Sequence, residues 1–258
     1  EEYWSITAAL AGANPPPFEA KLHSVNSREA EIPSAQEAER IVAAVQGKDF
    51  IVQSIERKEK RRNPAAPFIT SRLQQEAARK LRFTPKRTMT LAQQLYEGME
   101  IGKEGPVGLI TYMRTDSTAI AGIAMGEARE VITARYGTEY AMPKGRVYKT
   151  KSKGAQEAHE SIRPTSFARH PDVVAGGLKA DELRLYHLIW QRAVASQMAP
   201  KALETTTVDL IDGPYELRAS ATKTLFDGFA RVYTEGRDDG EEDESEGRLP
   251  AMAEGDRA

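Results

Sequence analysis

Two short runs near the start alternate apolar with polar positions. Trp4, Ile6 and Ala8 share one side, as do Phe18, Ala20 and Leu22, and Pro15-Pro16-Pro17 separates them, so both read as strands. Ser34 followed by Glu37 has capping-box spacing, and Ala38, Ile41, Val42 and Val45 then recur at helical intervals until Gly47. A strand from Asp49 to Ile55 runs into the basic stretch Arg57-Lys58-Glu59-Lys60-Arg61-Arg62. Asn63-Pro64 and Pro67 then mark a boundary.

Beyond it the period changes to that of helices. Ser71 is a candidate cap for a helix burying Leu73, Ala77 and Leu81, and a second helix carries Leu91, Leu95 and Met99. Gly105-Pro106 introduces a short apolar strand, Val107 to Ile110. A third helix is expected from Asp116 or Ser117 to Gly137, and a fourth from Gln156 to Ile162, stopped by Pro164. The longest runs from Asp181 to about Met198, burying Leu185, Leu188, Ile189 and Val194. After Pro200, Leu203 to Ile211, Asp212-Gly213 and Tyr215 to Ala221 read as a hairpin, with Phe229 to Tyr233 as a further strand. The order β, α, β predicts an α+β multidomain fold, a discontinuous β-rich domain with an inserted, mostly α-helical domain. The expected bounds are 1–65 and 201–234 for the β-rich parts, 66–200 for the helical domain, and 235–258 for an acidic linker or tail.

Composition narrows the function. At 258 residues, 40% hydrophobic and 29% charged, the chain can bury a core and is not disordered throughout. No apolar run approaches the roughly 18 residues of a membrane span. The start, Glu1-Glu2-Tyr3-Trp4, lacks the basic and apolar parts of a secretory signal; with no initiator methionine it reads as an excised fragment. The absence of cysteine excludes disulfides, a thiolate zinc site and a cysteine nucleophile, and fits a reducing cytoplasm. The net charge of −2 hides an asymmetry: 235–258 holds ten acidic and three basic residues, leaving 28 acidic and 33 basic in 1–234. Within 66–200 there are 20 basic and 13 acidic residues. That pattern suits a polyanionic partner, and it also suits a solvated surface with an acidic tail.

Three segments could carry chemistry. In Gly108-Leu109-Ile110-Thr111-Tyr112-Met113-Arg114-Thr115-Asp116-Ser117, an extended backbone sends Tyr112 and Arg114 the same way. A guanidinium beside a phenol favours phenolate and offers a fork for phosphate, and a helix starting near Asp116 would add its positive end. A tyrosine nucleophile, with an ordinary pKa of about 10, needs such help. The same spacing equally fits a half-buried tyrosine at a strand end with Arg114 in solvent. His159 and Arg163 stand four apart on the expected fourth helix and could grip a phosphate or shuttle a proton; pairing of the histidine with Glu160 is the plainer alternative. No second histidine lies near, so no metal site is expected. Thr70, Ser71, Arg72 and Gln74 cluster donors at a helix start, suited to a nucleic-acid backbone or simply to capping and solvation.

These segments carry a resemblance. Gly-Leu-Ile-Thr-Tyr-Met-Arg-Thr-Asp-Ser at 108–117 is similar to the active-site motif of bacterial type IA DNA topoisomerases. Pro-Phe-Ile-Thr-Ser-Arg-Leu-Gln-Gln-Glu-Ala at 67–77, Ala-Gln-Glu-Ala-His-Glu-Ser-Ile-Arg-Pro at 155–164, Phe226-Asp227-Gly228-Phe229 and Leu249-Pro250 resemble further segments of that family, in order. The resemblance implies that Tyr112 attacks a single-stranded DNA phosphodiester, forming a 5′-phosphotyrosine and releasing a 3′-hydroxyl without ATP. It implies that Arg114 holds the scissile phosphate, that His159 positions it, and that Arg163, Thr70, Ser71, Arg72 and Gln74 contact DNA. The β-rich domain would form the family's arch, carrying the helical domain as a gate through which a strand passes, so that negatively supercoiled DNA relaxes.

The departures carry equal weight. The family's Toprim domain, with its acidic motif for Mg²⁺ and its general-acid glutamate, has no counterpart here, and Asp238-Asp239 lies in the acidic tail. The domain that completes the ring and the cysteine zinc ribbons have no match either. The resemblance thus implies a gate piece of a cytoplasmic, nucleoid-associated enzyme. Its partners would be single-stranded DNA and the Toprim and remaining core domains of the parent chain; no Mg²⁺ would bind on this chain, and the piece alone would be inactive. The alternative is a noncatalytic single-stranded DNA-binding module.

Overall fold

The computed structural model describes residues 4–102, 105–148, 160–236 and 247–258. In chain order the elements are β1 (Thr7–Leu10), β2 (Phe18–Val25), β3 (Arg28–Glu29), α1 (Ala35–Val45), β4 (Ile51–Arg62), α2 (Thr70–Leu81), α3 (Pro85–Glu97), β5 (Met99–Glu100), β6 (Pro106–Val107), α4 (Gly122–Tyr136), α5 (Pro171–Val174), α6 (Ala180–Ser196), β7 (Lys201–Asp212) and β8 (Tyr215–Phe226). The chain divides into two compact units. One comprises Glu1–Arg61, Ala202–Phe226 and Glu242–Ala258; the other comprises Arg62–Lys201 and Asp227–Glu241.

The first unit is built on a six-stranded sheet in the order β1-β2-β8-β7-β4, with β3 paired to β2. The β1–β2, β2–β8 and β7–β8 pairs are antiparallel. β7 and β8 form the expected hairpin: Asp212 pairs with Tyr215 across a turn in which Gly213 takes φ +55°. Such a two-residue turn needs positive φ, which glycine supplies without strain. One sheet face is apolar, with Phe18, Ala20, Val52, Val208, Leu210, Leu217 and Ala219 in the core, and α1 covers it with Ala38, Ile41 and Val45. Ser34 caps α1 as its spacing predicts, accepting from the Glu37 N–H at 3.3 Å. Val42, expected on the buried stripe, is instead 41% exposed, because it stands about 100° round the helix from Ile41, the middle of the face toward the sheet.

The expected acidic tail does not behave as one piece. Leu249, Met252 and Ala258 pack on this first core. Phe50 and Ala258 exchange both backbone hydrogen bonds at 2.9 Å, so the end of the chain pairs beside β4. Of the tail's ten acidic residues only Glu254 and Asp256 fall within 247–258, where Arg248 and Arg257 balance them, so the apolar residues of this segment can be buried.

The second unit is helical. α6 is its axis: Leu185, Tyr186, Leu188, Ile189, Trp190, Ala193 and Val194 are all buried, and α2, α3 and α5 pack around it. Thr84 caps α3 by accepting from the Arg87 N–H at 3.2 Å, with Pro85 in the first turn, and Leu91, Ala92 and Leu95 face inward. Met99 lies beyond the helix, in β5, because Gly98 at φ +133° ends it. The expected strand Phe229 to Tyr233 is a 3₁₀ turn, Gly228–Arg231, followed by irregular chain. Gly228 there takes φ +50°, and a Cβ at that position would lie 2.5 Å from the Pro200 carbonyl oxygen. No described helix is long and apolar enough to cross a membrane.

Candidate functional site

In the second unit the chain brings together the segments singled out in the sequence. Phe68 bridges Ile162, and Ile110 bridges Pro164, each antiparallel. The Ile162 N–H donates to the Phe68 carbonyl at 2.8 Å, and the Thr111 N–H donates to the Arg163 carbonyl at 2.9 Å. The Thr111 hydroxyl donates to the Ser161 carbonyl at 2.6 Å and accepts from the Arg163 N–H at 3.0 Å. Thr165 returns the favour below: its N–H reaches the Leu109 carbonyl at 3.0 Å and its hydroxyl the Gly108 carbonyl at 2.7 Å. Phe68, Leu109, Ile110, Met113 and Ile162 are all buried, so a packed apolar floor lies under this three-segment platform.

Tyr112 emerges from that floor. Exposure alternates from 112 to 117: Tyr112, Arg114 and Asp116 are exposed, while Met113, Thr115 and Ser117 are buried. The period-two alternation is present although 113–114 form a bend and no strand ladder continues there. The Tyr112 phenol, 45% exposed, forms no hydrogen bond among the described residues, and Arg114 forms no ion pair among them. Both are thus open to an incoming ligand. The chain approaches α3 closely just before them, since a Cβ on Gly108 would fall 2.8 Å from the Tyr96 carbonyl oxygen.

The helix expected from Asp116 or Ser117 starts only at Gly122. Side-chain oxygens capture the intervening N–H groups: Thr115 accepts from Ser117 at 3.0 Å and Ser117 from Ala119 at 3.2 Å. Such local bonds compete with helix formation. The positive end of α4 therefore does not sit beside Arg114, where a start at Asp116 or Ser117 would have put it; the helix start that touches the chain there is that of α2, through Thr70. The expected helix Gln156 to Ile162 is not helical over 160–162. Its remaining residues, His159 among them, lie outside the described residues.

The other candidates divide by what their side chains touch. Arg163 is only 8% exposed; its guanidinium donates to Glu160 at 2.6 Å and to the Pro164 carbonyl at 2.9 Å. Glu160 in turn accepts from the Ala121 N–H at 2.6 Å, tying the platform to the start of α4. Arg72 is exposed and bonds Gln75 at 3.0 Å. Ser71 is exposed and caps nothing, because Ile69 occupies the N-cap position; Gln74 is half-buried. Thr70 turns its hydroxyl inward, to the chain on either side of Arg114. Sequence reasoning missed Tyr96, whose ring meets that of Tyr112, and Glu160 and Thr111, whose bonds hold the platform. Tyr96 stands next to Leu95 on α3 and off its buried stripe, a position whose one signal was an aromatic left in solvent.

Behind α2 a buried charge network fixes the helix. Glu76, 3% exposed, accepts from the Tyr233 hydroxyl and from the Gly236 N–H at 2.9 Å. Arg192 lies over the rings of Phe68 and Tyr233 and donates to Glu235 at 2.9 Å. Burial pushes the Tyr233 phenol well above its ordinary value, and the bond to Glu76 pushes it further. Burial likewise lowers Lys80, whose ammonium lies 4.4 Å from the centre of the Tyr233 ring. Among the described residues no group of three or more His, Cys, Asp or Glu side chains could hold a metal ion.

Comparison with known proteins places the chain. The family model described as DNA topoisomerase matches residues 1–258. A DNA topoisomerase 1 from Xylella fastidiosa (strain 9a5c) is 48% identical over 264 aligned residues, which cover 99% of this chain and 32% of that protein. The solved structure of full-length topoisomerase I from Thermotoga maritima, in a monoclinic crystal form, superposes with a TM-score of 0.72 at 36% identity, covering 93% of this chain and 36% of that one. The chain thus spans about a third of the length of these relatives.

Proposed function

This chain belongs to the DNA topoisomerase family, and from that premise we propose that it supplies the strand-cleaving tyrosine of a type IA enzyme acting on single-stranded DNA. The observation that carries the reading is the platform itself, from which Tyr112 and Arg114 both emerge into solvent with no ion pair among the described residues to occupy the arginine. The Tyr112 oxygen attacks the phosphorus of a phosphodiester, a P–O bond to tyrosine forms, and the bond to the 3′ oxygen breaks. The phenol proton is lost and the departing oxygen gains one, leaving a 3′-hydroxyl and a 5′-phosphotyrosine. Attack by that hydroxyl reverses each step. One phosphodiester replaces another, so no nucleotide need be hydrolysed.

Arg114 holds the phosphate oxygens and meets the charge that builds on them, a stabilisation that gains from being fixed in place beforehand. Arg72, Ser71 and Gln74 border the same α2 start and contact the adjoining backbone; His159, from the matched motif, positions the phosphate. Arg163 supports the platform from within. The acid and base that exchange protons at the leaving and attacking oxygens come from another part of the parent enzyme, and so would the donors for the family's Mg²⁺; among the described residues no group of three or more His, Cys, Asp or Glu side chains could hold it. In this reading the β-rich unit is the family's arch, and the helical unit is a gate that carries the covalently held strand end while another strand passes. The chain by itself is inactive, and in the parent protein, in the cytoplasm at the nucleoid, the result is relaxation of negatively supercoiled DNA.

The test is covalent capture. The chain is incubated with end-labelled single-stranded oligonucleotide and Mg²⁺, with and without a separately supplied Toprim-bearing piece, and run on denaturing gels. An adduct that requires both pieces and is absent in Tyr112→Phe is expected. An adduct that persists in Tyr112→Phe overturns the nucleophile. Oligonucleotide binding without an adduct under any condition favours the noncatalytic binding module.

A further inference from the structure

We propose that Thr70 is a positioning residue for Arg114, acting through the backbone on both sides of the arginine; the proposal rests on the phosphate-binding role given to Arg114 above. The Thr70 hydroxyl lies 2.8 Å from the Met113 carbonyl and 3.0 Å from the Thr115 carbonyl, and it accepts from the Thr115 N–H at 2.9 Å. The Thr70 N–H adds a fourth bond, to the Thr115 carbonyl at 3.0 Å. The single hydroxyl proton is shared between two carbonyls that flank residue 114, and a lone pair takes the N–H that follows it. One side chain therefore clasps the peptide units before and after Arg114.

Buried Met113 and Thr115 seat the segment on either side of Arg114, and the clasp ties the backbone between them. Residues 113–114 form a bend without ladder bonds, and the Arg114 side chain has no ion-pair partner among the described residues to fix its direction. The anchor of the clasp is rigid: Thr70 opens α2, whose Leu73 and Ala77 are 0% exposed. A functional side chain aimed from a mobile loop gains precision when its backbone is tied to a packed helix. Threonine is suited to the place because its hydroxyl both donates and accepts, whereas valine has the same shape and does neither. The inward hydroxyl is also why Thr70 is better placed to aim the arginine than to meet DNA itself.

The experiment compares Thr70→Val and Thr70→Ser in the chain assembled with its Toprim-bearing piece. Misplacing a binding group by about 1 Å costs up to about 100-fold in rate, so Thr70→Val should slow adduct formation about 10- to 100-fold. Noncovalent binding of the oligonucleotide should fall no further than in Arg114→Ala, and Thr70→Ser should recover most of the rate, because it restores the donor and the acceptor. In an Arg114→Ala background Thr70→Val should add less than about twofold, since coupled residues are not additive. A loss of binding larger than that of Arg114→Ala, or one that persists in full in its background, would make Thr70 a DNA contact and overturn the proposal. So would full activity of Thr70→Val, or an equal loss with and without Arg114. Hydrogen exchange supplies a readout that needs no cleavage: in Thr70→Val the Thr115 amide should exchange at least about tenfold faster while amides of α6 are unchanged. Uniform acceleration, or none, overturns the clasp whatever the fate of Tyr112; an adduct in Tyr112→Phe overturns the nucleophile and leaves the clasp standing.

Discussion

The phenol ring of Tyr112 meets the ring of Tyr96 edge-on, with centroids 5.3 Å apart and planes at 66°. Both rings remain open to solvent, at 45% and 40%, so the contact orients the phenol proposed as nucleophile without hiding it. An edge-to-face pair contributes about 0.5–1.5 kcal/mol, enough to hold one rotamer over its alternatives by several-fold. Tyr96→Ala should therefore slow adduct formation by about three- to tenfold, and Tyr96→Phe, which keeps the ring, should be close to wild type. Single-turnover cleavage measures both. Equal damage in the two variants would assign the effect to the hydroxyl and not to the ring.

Arg114 should be visible in the salt dependence of binding. Each phosphate neutralised on a single strand contributes a slope of about −0.7 in log K against log salt. Arg114→Ala should weaken oligonucleotide binding and make the slope shallower by about that amount. Titration of a fluorescent oligonucleotide at several salt concentrations checks it, and an unchanged slope would mean that the arginine does not touch a phosphate.

The bond from Tyr233 to Glu76 should matter for stability. Glu76 is buried, and removing one donor leaves its carboxylate short of a partner, at a cost of about 1–3 kcal/mol. Tyr233→Phe deletes that donor alone and should lower the urea midpoint of the helical unit without changing the denaturant slope. A midpoint equal to wild type would show that the Gly236 N–H and Arg79 already satisfy the carboxylate.

The ring of His170 should make stability depend on pH. It packs edge-on against Trp190 at 4.7 Å, and its Nδ1 accepts from the Asp172 N–H at 3.2 Å. Burial first, and then the charge of Arg135, hold it below its ordinary value of 6.5, against the smaller opposing pull of Asp172. Above 6.5 the ring is neutral folded or unfolded and contributes no slope. As pH falls below 6.5 the unfolded chain takes up a proton that the folded chain resists, so stability is lost until the folded value is passed and then levels off. Urea midpoints at about pH 7.5 and 5.0 should show the loss, and His170→Asn, which can still cap α5, should make it shallower, the remainder coming from His187, which burial also lowers. An equally steep profile in that variant would place the titration elsewhere.

What was legible in the sequence was what is local. Ser34 and Glu37 announce α1 because a cap is a contact between residues three apart, and Asp212-Gly213 announces the β7–β8 turn because positive φ is a property of one residue. The buried stripe of α6 and the outward Tyr112 and Arg114 follow from side-chain periods of 3.6 and two. The 108–117 segment was legible as well, since its resemblance is carried by consecutive residues.

The tertiary structure decided everything that turns on a partner far along the chain. Thr70 and Arg163 read as polar residues free to meet DNA; folded, they turn to carbonyls and a carboxylate within the chain. The start of α4 moved to Gly122 because Thr115 and Ser117 took the N–H groups that would have opened the helix earlier. Tyr96 gained its place only when Gly108 let the next segment approach within a distance no other residue permits. A sequence states which donors, acceptors and rings a chain possesses; which of them satisfy each other, and which are left for a ligand, is settled by packing, because a buried polar group must find its partner wherever the fold brings one.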